Sequence, residues 1–247
     1  MGPRCYPILY NRNPFPSQCS ASSFGRLRFK GIPYEGRGIV RALVALRKNV
    51  ARFFPFYHRY NAYLFDWRYK KGLAPWCEIS NGLFNWLSGL REKAVALAPD
   101  GRILEIGCGN GALTARLSRD SREVIGLDIS FEAIKRAKEH ERENLTFSVH
   151  NIERDPLMGE YSLIICEDVL YYIPFVSMKK VAKKLSDALV DRGILLVIDY
   201  LPEDMETRYY YQSLSQFLAP IRIEPVTYEP ESAQSMMALY RKSEGSS

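Results

Sequence analysis

The sequence predicts an α/β fold: a doubly wound, mostly parallel sheet of seven strands, with a C-terminal antiparallel hairpin and an N-terminal helical extension. Three observations predict it. After Pro99, short apolar runs alternate with helical patterns, which is typical of parallel strands joined by crossover helices. Glycines at positions 107, 109 and 111 mark a tight turn where the first strand gives way to a helix. Near the end of the chain, two extended runs joined by a short link predict the hairpin.

The five parallel strands are predicted from runs rich in β-branched and other apolar residues. The hairpin is predicted from IRIEPVTYE and SMMALYRK, which the turn PESAQ joins. Helices are expected to begin near Gly111, Ser130, Ser177 and Glu203. The five parallel runs are RILEIG, EVIGLDI, LTFSVH, YSLIICE and GILLVIDY.

We predict three parts along the chain. Residues 1–35 show neither helical nor strand periodicity and are interpreted as a mobile basic leader; a transit peptide, a functional arm and an over-extended gene start remain open for them. Residues 36–80 are interpreted as a basic, aromatic-rich helical extension or lid. Residues 81–247 form the ligand-binding domain, which opens with a helix from Asn81 to Ala98.

The positive charge of the chain is concentrated near its N-terminus. Residues 1–75 hold 14 Lys and Arg against only Glu35 and Asp66, although the net charge of the whole chain is +6. Apolar residues at three- and four-residue intervals over 38–54, with Arg and Lys between them, predict a basic amphipathic helix that ends at Pro55. This helix would either lie on an anionic membrane or pack as a lid on the core.

The next segment, FYHRYNAYLFDWRYKKGLAPW, interleaves aromatic residues with cations. It predicts two helices, or a helix and a loop. Such aromatic residues could stack on bases or sugars, or they could be partly buried in a packing helix.

Composition excludes several classes of protein. Hydrophobic residues make up 47% of the chain and charged residues 25%, which is a globular composition. Five scattered cysteines, without a C-x-x-C pair or a nearby His at ligand spacing, predict a reduced compartment and no metal site. No apolar run approaches the roughly 20 residues of a membrane span. We therefore expect a cytoplasmic protein, with peripheral membrane contact through residues 38–54 as the alternative.

The glycine turn fits two classes of cofactor. GCGNGA satisfies the dinucleotide pattern G-x-G-x-x-G/A, and Asp128 could accept hydrogen bonds from a ribose diol in either class. Glu105 discriminates between them, because its carboxylate would repel a pyrophosphate but attract an ammonium group. The C-terminal half also lacks a second domain for a hydride acceptor. A ligand with a ribose diol, an ammonium group and no phosphate is S-adenosylmethionine.

The motifs LEIGCGNGALTARL, VIGLDIS, VHNIERD and LIICEDVLYYI follow one another over about Arg102 to Asp199. Together they resemble the class I S-adenosylmethionine-dependent methyltransferases. The pairing of LTARL with EDVLYYI is most similar to the nodulation-type group, which N-methylates an aminosugar end of a chitooligosaccharide. The resemblance implies an enzyme with a Rossmann-like methyltransferase fold, S-adenosylmethionine as its cofactor, and residues 81–247 as its binding domain.

The resemblance also assigns cofactor contacts. Glu105 and the glycine loop would hold the methionine end, Asp128 the ribose hydroxyls, and Ile129 would pack on adenine. Asn151 would accept a hydrogen bond from the adenine amine through its amide oxygen. The candidate cofactor-binding residues are Glu105, Gly107, Cys108, Gly109, Gly111, Asp128, Ile129, Asn151, Ile152 and Glu167.

The candidate catalytic residues follow the fourth strand. Asp168 stands where the class places a residue that faces both methyl donor and acceptor, and Tyr171 and Tyr172 come shortly after it. Structural alternatives remain open: Asp168 could cap a turn, the tyrosines could pack, Glu167 could be solvated, and Asp128 could cap the helix that follows it.

We expect methyl transfer by in-line displacement to a small molecule or saccharide, at nitrogen. The acceptor pocket should be formed by Trp76, the tyrosines of residues 57–69 and the loop after Asp168. No [DNS]-P-P-[YF] motif follows the fourth strand, which makes adenine in DNA an improbable acceptor. RNA or protein methylation through the basic extension, a nicotinamide-dependent oxidoreductase and a non-catalytic binding protein are the alternatives.

Overall fold

The computed structural model describes residues 57–72, 79–118, 122–200, 206–231 and 233–245. The predicted leader, the predicted helix over 38–54 and Trp76 lie outside these residues. The helices are α1 (Tyr57–Lys70), α2 (Asn81–Leu97), α3 (Ala112–Leu117), α4 (Phe131–Ala137), α5 (Phe175–Asp187) and α6 (Glu206–Ser215). The strands are β1 (Ile103–Ile106), β2 (Val124–Asp128), β3 (Leu145–Val149), β4 (Tyr161–Glu167), β5 (Leu189–Tyr200), β6 (Ala219–Tyr228) and β7 (Ala233–Arg241).

The strands form one seven-stranded sheet in the order β3-β2-β1-β4-β5-β7-β6. Strands β1 to β5 pair in parallel, whereas β7 runs antiparallel to both of its neighbours, β5 and β6. Strand β6 lies at the edge and pairs only with β7 among the described strands. The predicted doubly wound sheet and its C-terminal hairpin are confirmed.

The direction of strand order reverses between β1 and β4, because the chain winds outward to β3 and then returns to place β4 beside β1. In sheets of this kind, the crevice at such a reversal lies beyond the carboxyl ends of the strands. The topology therefore places the glycine turn after β1 and the polar residues after β4 on the same edge of the sheet.

A layer of helices covers each face of the sheet. On one face, α5 and α6 bury Met178, Leu185 and Leu214 against Leu104 and neighbouring strand residues. On the other face, α2 and α4 contribute their own apolar residues to a second core layer with β1, β4 and β5. The central strands β1 and β4 are almost continuously buried, as expected for strands covered on both sides, whereas the edge strand β3 is partly exposed.

The helix starts agree closely with the turn residues in the sequence. Gly111 directly precedes α3, and the Ser130 hydroxyl caps α4 by accepting from the Ala133 amide at 3.1 Å. Helix α5 begins at Phe175, two residues before the predicted start, because Pro174 accepts the first helical hydrogen bond from Ser177. The start predicted at Glu203 falls in 201–205, outside the described residues. None of the helices in the described ranges combines the length and apolarity that a membrane span requires.

Candidate functional site

A cavity of about 430 Å³ opens at the carboxyl ends of β1, β2 and β4 and is lined on its far side by residues of α1 and α2. Its volume lies in the range of small-molecule sites. All of the predicted site residues line it except Gly111. The sequence motifs from four separate segments thus converge on one cavity.

Gly107 makes the first turn possible. Its backbone has φ +78°, and a Cβ built on it would lie 2.2 Å from Cγ2 of Val169. Any larger residue would therefore be strained in the backbone and would collide with the loop after β4. The turn brings the main chain of residues 107–110 directly to the cavity wall.

Gly111, one of the predicted cofactor contacts, does not itself line the cavity and has a packing role. It has φ +78°, and a Cβ there would lie 2.7 Å from the Phe147 ring and 2.9 Å from Cβ of Ala137. Its lack of a side chain lets α3 start close to β3 and α4. Gly111 therefore shapes the loop without lining the cavity.

Asp128 ties the glycine turn to the end of β2. Its Oδ2 accepts from the Gly109 amide at 2.9 Å, and its Oδ1 accepts from the Ser130 amide at 2.8 Å. Burial raises the pKa of Asp128 to about 6, although both amides favour the charged form. Each carboxylate oxygen can accept a second hydrogen bond, so both remain able to bind hydroxyl groups in the cavity. The helix cap is Ser130, so the alternative of Asp128 as the cap is wrong.

A buried ion-pair cluster lies beside the glycine turn. Arg91 Nη2 donates to Glu105 Oε1 at 2.7 Å, and Arg91 Nη1 lies 2.5 Å from Glu167 Oε2. The Arg91 and Glu105 side chains are only 2% and 3% exposed, and that of Glu167 is 14% exposed. The interpretation of Glu167 as a solvated residue is therefore wrong.

Electrostatics within this cluster are strongly perturbed. Burial raises the pKa of Glu167 to about 7 in spite of the nearby guanidinium. Burial lowers the pKa of Arg91, but the two carboxylates raise it by more. Oε2 of Glu105 is buried and has no hydrogen-bond partner among the described residues. One carboxylate oxygen of the cluster is therefore unsatisfied, in a residue that lines the cavity.

Arg91 was not among the predicted site residues, yet the sequence of α2 indicates that this arginine is buried. Leu87, Ser88 and Ala94 lie on the buried face of the helix, and Arg91 occupies a position on that same face. An arginine among core positions must be paired with acidic groups, since an isolated buried charge is very costly. The pattern indicates a buried ion pair but does not say with which residues.

The residues predicted to contact adenine, Ile129, Asn151 and Ile152, all line the cavity, but Asn151 also makes a local hydrogen bond. Ile129 and Ile152 line the cavity as expected, and Ile152 is 9% exposed. The Asn151 amide oxygen accepts from the Glu153 amide at 3.0 Å, forming a local turn. An adenine amine would have to share this oxygen, so the local turn already accounts for Asn151.

The predicted catalytic residues form the opposite wall. Asp168 directly follows β4 with φ +52°, and its amide donates to the Ile198 carbonyl at 2.8 Å. The ring centroids of Tyr171 and Tyr172 are 4.5 Å apart, and Phe65 meets Tyr172 edge-on at 5.0 Å. Burial, followed by the nearby Asp168 carboxylate, raises the pKa of Tyr171 well above its ordinary value. Tyr171 is therefore protonated near neutral pH.

Helix α1 lines one side of the cavity and is hydrogen-bonded to residues of α4 and its N-cap. Asp66 Oδ1 accepts from the Ser130 hydroxyl at 2.6 Å and from the Glu132 amide at 3.1 Å. Arg136 Nη2 donates to the Tyr69 carbonyl at 2.5 Å, and its guanidinium lies over the Tyr69 ring. Tyr69 is 1% exposed and lines the cavity.

The prediction that tyrosines of residues 57–69 line the pocket holds only in part. Tyr69 does so, together with Phe65 and Asn61 of the same helix. Tyr63 is 70% exposed and faces away, so its inclusion was wrong. The helical period places Asn61, Phe65 and Tyr69 on one face, at intervals of four residues.

Residues 97–235 match the family model described as a methyltransferase domain. The chain belongs to this family. Nodulation protein S of Azorhizobium caulinodans is 39% identical over 74 residues, which are 30% of this chain and 36% of that protein. The ubiquinone biosynthesis O-methyltransferase of Methylococcus capsulatus is 31% identical over 78 residues, or 30% of this chain and 33% of that protein. The matched segments span about a third of the length of these relatives.

The fold of this methyltransferase also has counterparts among solved structures. The crystal structure of the N-methyltransferase NodS from Bradyrhizobium japonicum WM9 in complex with S-adenosyl-L-homocysteine has a TM-score of 0.62 at 18% identity, covering 72% of this chain and 98% of that one. At this identity the similarity shows the fold. The predicted Rossmann-like methyltransferase fold, the resemblance to the class and the prediction of an enzyme are confirmed, and the oxidoreductase alternative is set aside.

Proposed function

We propose that this methyltransferase transfers the methyl group of S-adenosylmethionine to a nitrogen atom of a small-molecule or saccharide acceptor. One observation carries the proposal: a single cavity joins the glycine turn and Asp128 on one wall to Asp168 and its two tyrosines on the other. The similarity to a methyltransferase of ubiquinone biosynthesis supports a small acceptor, and the similarity to the N-methyltransferase NodS supports nitrogen.

The donor side has the groups that S-adenosylmethionine requires. The buried Oε2 of Glu105 is an unsatisfied acceptor suited to an ammonium group. Asp128 offers a carboxylate for a ribose diol. The glycine turn leaves a cradle into which a Cβ at Gly107 would not fit.

When bound, S-adenosylmethionine supplies a methyl group on a positively charged sulfur, and this methyl group is already activated for displacement. The protein therefore has to align the acceptor and exclude water rather than activate the donor. Asp168 can take the proton that an attacking amine loses. Phe65, Tyr171 and Tyr172 close the wall beside it and limit access of water.

Charge in the cavity favours an amine over an anionic acceptor. Arg91 is the single Lys or Arg among the described lining residues, and both of its neighbouring carboxylates engage it. A phosphate or carboxylate on the acceptor would meet acidic groups without a free cation. The acidic lining residues are Glu105, Asp128, Glu153, Glu167 and Asp168.

The donor is tested by calorimetric titration with S-adenosylhomocysteine and, separately, with NAD. The wild type should bind only the sulfur nucleoside. Asp128→Ala should weaken that binding by about 1.5–3 kcal/mol, because a charge-assisted contact is lost. Asp187→Ala, a change on the exposed surface of α5, is the matched control and should leave binding unaltered. Binding of NAD, or of neither ligand, would contradict the proposal.

The acceptor is tested by counting methyl transfer from labelled S-adenosylmethionine to a panel of matched small molecules. The panel pairs a free aminosugar oligosaccharide with its N-acetylated form, and a phenol with the corresponding aniline. We expect transfer to the free amines and none to the acetylated or phenolic partners. Exclusive transfer to the phenol would overturn the assignment to nitrogen, and exclusive transfer to RNA or protein would overturn the small acceptor.

The proposal extends to the parts of the chain. We propose that residues 81–247 bind the donor and that the extension 36–80, to which α1 belongs, covers the cavity. The contacts of α1 with α4 support this division. Removing residues 1–55 tests the remaining basic part: retention of small-molecule methylation with loss of sedimentation on anionic liposomes would assign it to membrane contact.

A further inference from the structure

The buried Arg91 side chain contacts two strands at once: β1, which precedes the glycine turn, and β4, which precedes Asp168. Glu105 belongs to β1, and Glu167 is the last residue of β4, one position before Asp168. Arg91 reaches them from α2, a helix outside all of the glycine-turn motifs. The three side chains form one buried unit that borders the cavity.

The charge of this unit is informative. One guanidinium pairs with two carboxyl groups, and Oε2 of Glu105 has no hydrogen-bond partner among the described residues. Without Arg91, both buried carboxyl groups would lose the guanidinium that pairs with them, and an uncompensated buried charge is costly. Arg91 thus compensates negative charge on both strands.

We propose that Arg91 is a positioning residue that acts through Glu105 to bind the ammonium group of the donor. The inference rests on the proposed function, because it assumes that S-adenosylmethionine occupies this cavity. Arg91 holds Oε1 of Glu105, which leaves Oε2 for the ligand. Arg91 also pairs with Glu167 at the end of β4. The same guanidinium therefore positions both Glu105 and the strand end that precedes Asp168.

The test uses three nucleosides that differ only at the amino-acid end. S-adenosylhomocysteine carries an ammonium group and a carboxylate, its decarboxylated analogue keeps the ammonium group alone, and 5′-methylthioadenosine has neither. Dissociation constants are measured by calorimetry for the full-length wild type, Arg91→Met and Arg91→Lys. Arg116→Met on the solvent-facing side of α3 is the matched control, since Arg116 is 35% exposed and pairs only weakly with Glu92.

We expect Arg91→Met to weaken both ammonium-bearing ligands by roughly tenfold or more and to leave 5′-methylthioadenosine unchanged. Arg91→Lys should restore part of the loss, because the charge returns without the two-pronged geometry. Weakening of S-adenosylhomocysteine alone would mean that Arg91 contacts the carboxylate directly, and this would overturn the proposal. Equal weakening of all three ligands, or of none, would also overturn it.

Glu105→Gln provides a second route in case Arg91→Met does not fold. This variant should lose affinity for the two ammonium-bearing ligands and keep its affinity for 5′-methylthioadenosine. Adding Arg91→Lys to it should cause no further loss of affinity. Independent, additive losses would refute action through Glu105. Failure of the wild type to bind any of the three nucleosides would instead refute the proposed function itself.

Discussion

The two walls of the cavity are built in different ways. The donor wall and the acceptor wall are the walls proposed above for the two ligands. On the donor wall, the glycine turn and Asp128 lie within a continuous strand-turn-helix segment and its neighbour, and backbone amides hold the Asp128 carboxylate. On the acceptor wall, Phe65 of α1 meets Tyr172, and Asn61 Nδ2 donates to the Tyr172 carbonyl at 3.5 Å across 111 positions of sequence. The donor wall is built around a local main-chain turn, to which Glu105 and Asp128 add their carboxylates, whereas the acceptor wall is assembled from side chains of distant segments.

This difference teaches how such an enzyme can change its acceptor. Main-chain contacts tolerate few substitutions, because the glycine conformation and the close packing around it constrain the sequence. Aromatic side chains on a covering helix can be exchanged without disturbing the sheet. The following predictions test this contrast.

The largest effect is expected from Gly107→Ala. The added methyl group would lie 2.2 Å from Cγ2 of Val169 in a backbone with φ +78°. We expect loss of measurable S-adenosylhomocysteine binding and a decrease of roughly 2–4 kcal/mol in the free energy of unfolding. Calorimetry and urea denaturation measure the two effects.

Gly89→Ala is the matched control for this substitution. Gly89 lies within α2, and a Cβ there meets nothing within 4 Å. This change should leave binding intact and stabilise the helix by up to about 1 kcal/mol. Tight binding by Gly107→Ala would show that the donor wall is less constrained than the geometry implies.

The second effect concerns the acceptor wall. Asp168→Asn removes the proton acceptor but keeps the size of the side chain, so the turnover number should fall on the order of 10²–10⁴-fold. Binding of S-adenosylhomocysteine should remain at the wild-type value. Steady-state kinetics with the best amine acceptor and calorimetry measure these quantities. A matching fall in donor affinity would show that the two walls are not separable.

The third effect is a pH dependence on the donor wall. Burial raises the pKa of Asp128 to about 6, so its carboxylate becomes protonated as the pH falls below that value. A protonated carboxyl group is a poorer acceptor for a ribose diol, and affinity for S-adenosylhomocysteine should fall about tenfold from pH 7 to pH 5. Titrations at several pH values check this. Asp128→Asn should bind weakly with a flatter profile, and any slope left in it would belong to Glu167, whose pKa is about 7.

The smallest effect is expected from loosening the cover. Asp66→Ala removes the acceptor for the Ser130 hydroxyl and the Glu132 amide. The free energy required to detach α1 from α4 should therefore fall by about 1–2 kcal/mol. Hydrogen exchange of the α1 amides should accelerate, while that of β1 and β4 stays unchanged. Lys70→Ala, which breaks an exposed pair with Glu132, should change exchange far less. Equal acceleration in both variants would argue against Asp66 as the fastening residue.

The sequence predicts the glycine turn and the position of Asp128 well, for a physical reason. Three glycines with positive φ at a strand end, and a carboxylate at the end of the next strand, are local requirements that leave a local pattern. Gly111 also packs closely against Phe147 and Ala137, and the Asn151 amide oxygen also accepts within a local turn. Their contacts with the cofactor stay predictions, because a motif records that a residue type is needed but not which atom it contacts.

The contacts between distant segments, on both walls, could not be predicted in the same way. Arg91 finds Glu105 14 positions away, and Asp66 reaches Ser130 across 64 positions. Such pairings depend on how helices dock on the sheet, and no periodicity within one segment encodes them. Glu167 is an example: the residues around it in the sequence give no indication that it pairs with the Arg91 guanidinium.

The placement of β7 affects the order in which the chain can acquire its structure. Strand β6 is made before β7 but, among the described strands, joins the sheet only through it, since β7 lies between β6 and β5. During synthesis, residues 219–228 therefore have no partner in the sheet until residues 233–241 have emerged and paired with both neighbours. The donor wall can form from the strands synthesised first, whereas the far edge of the sheet closes in a single late step.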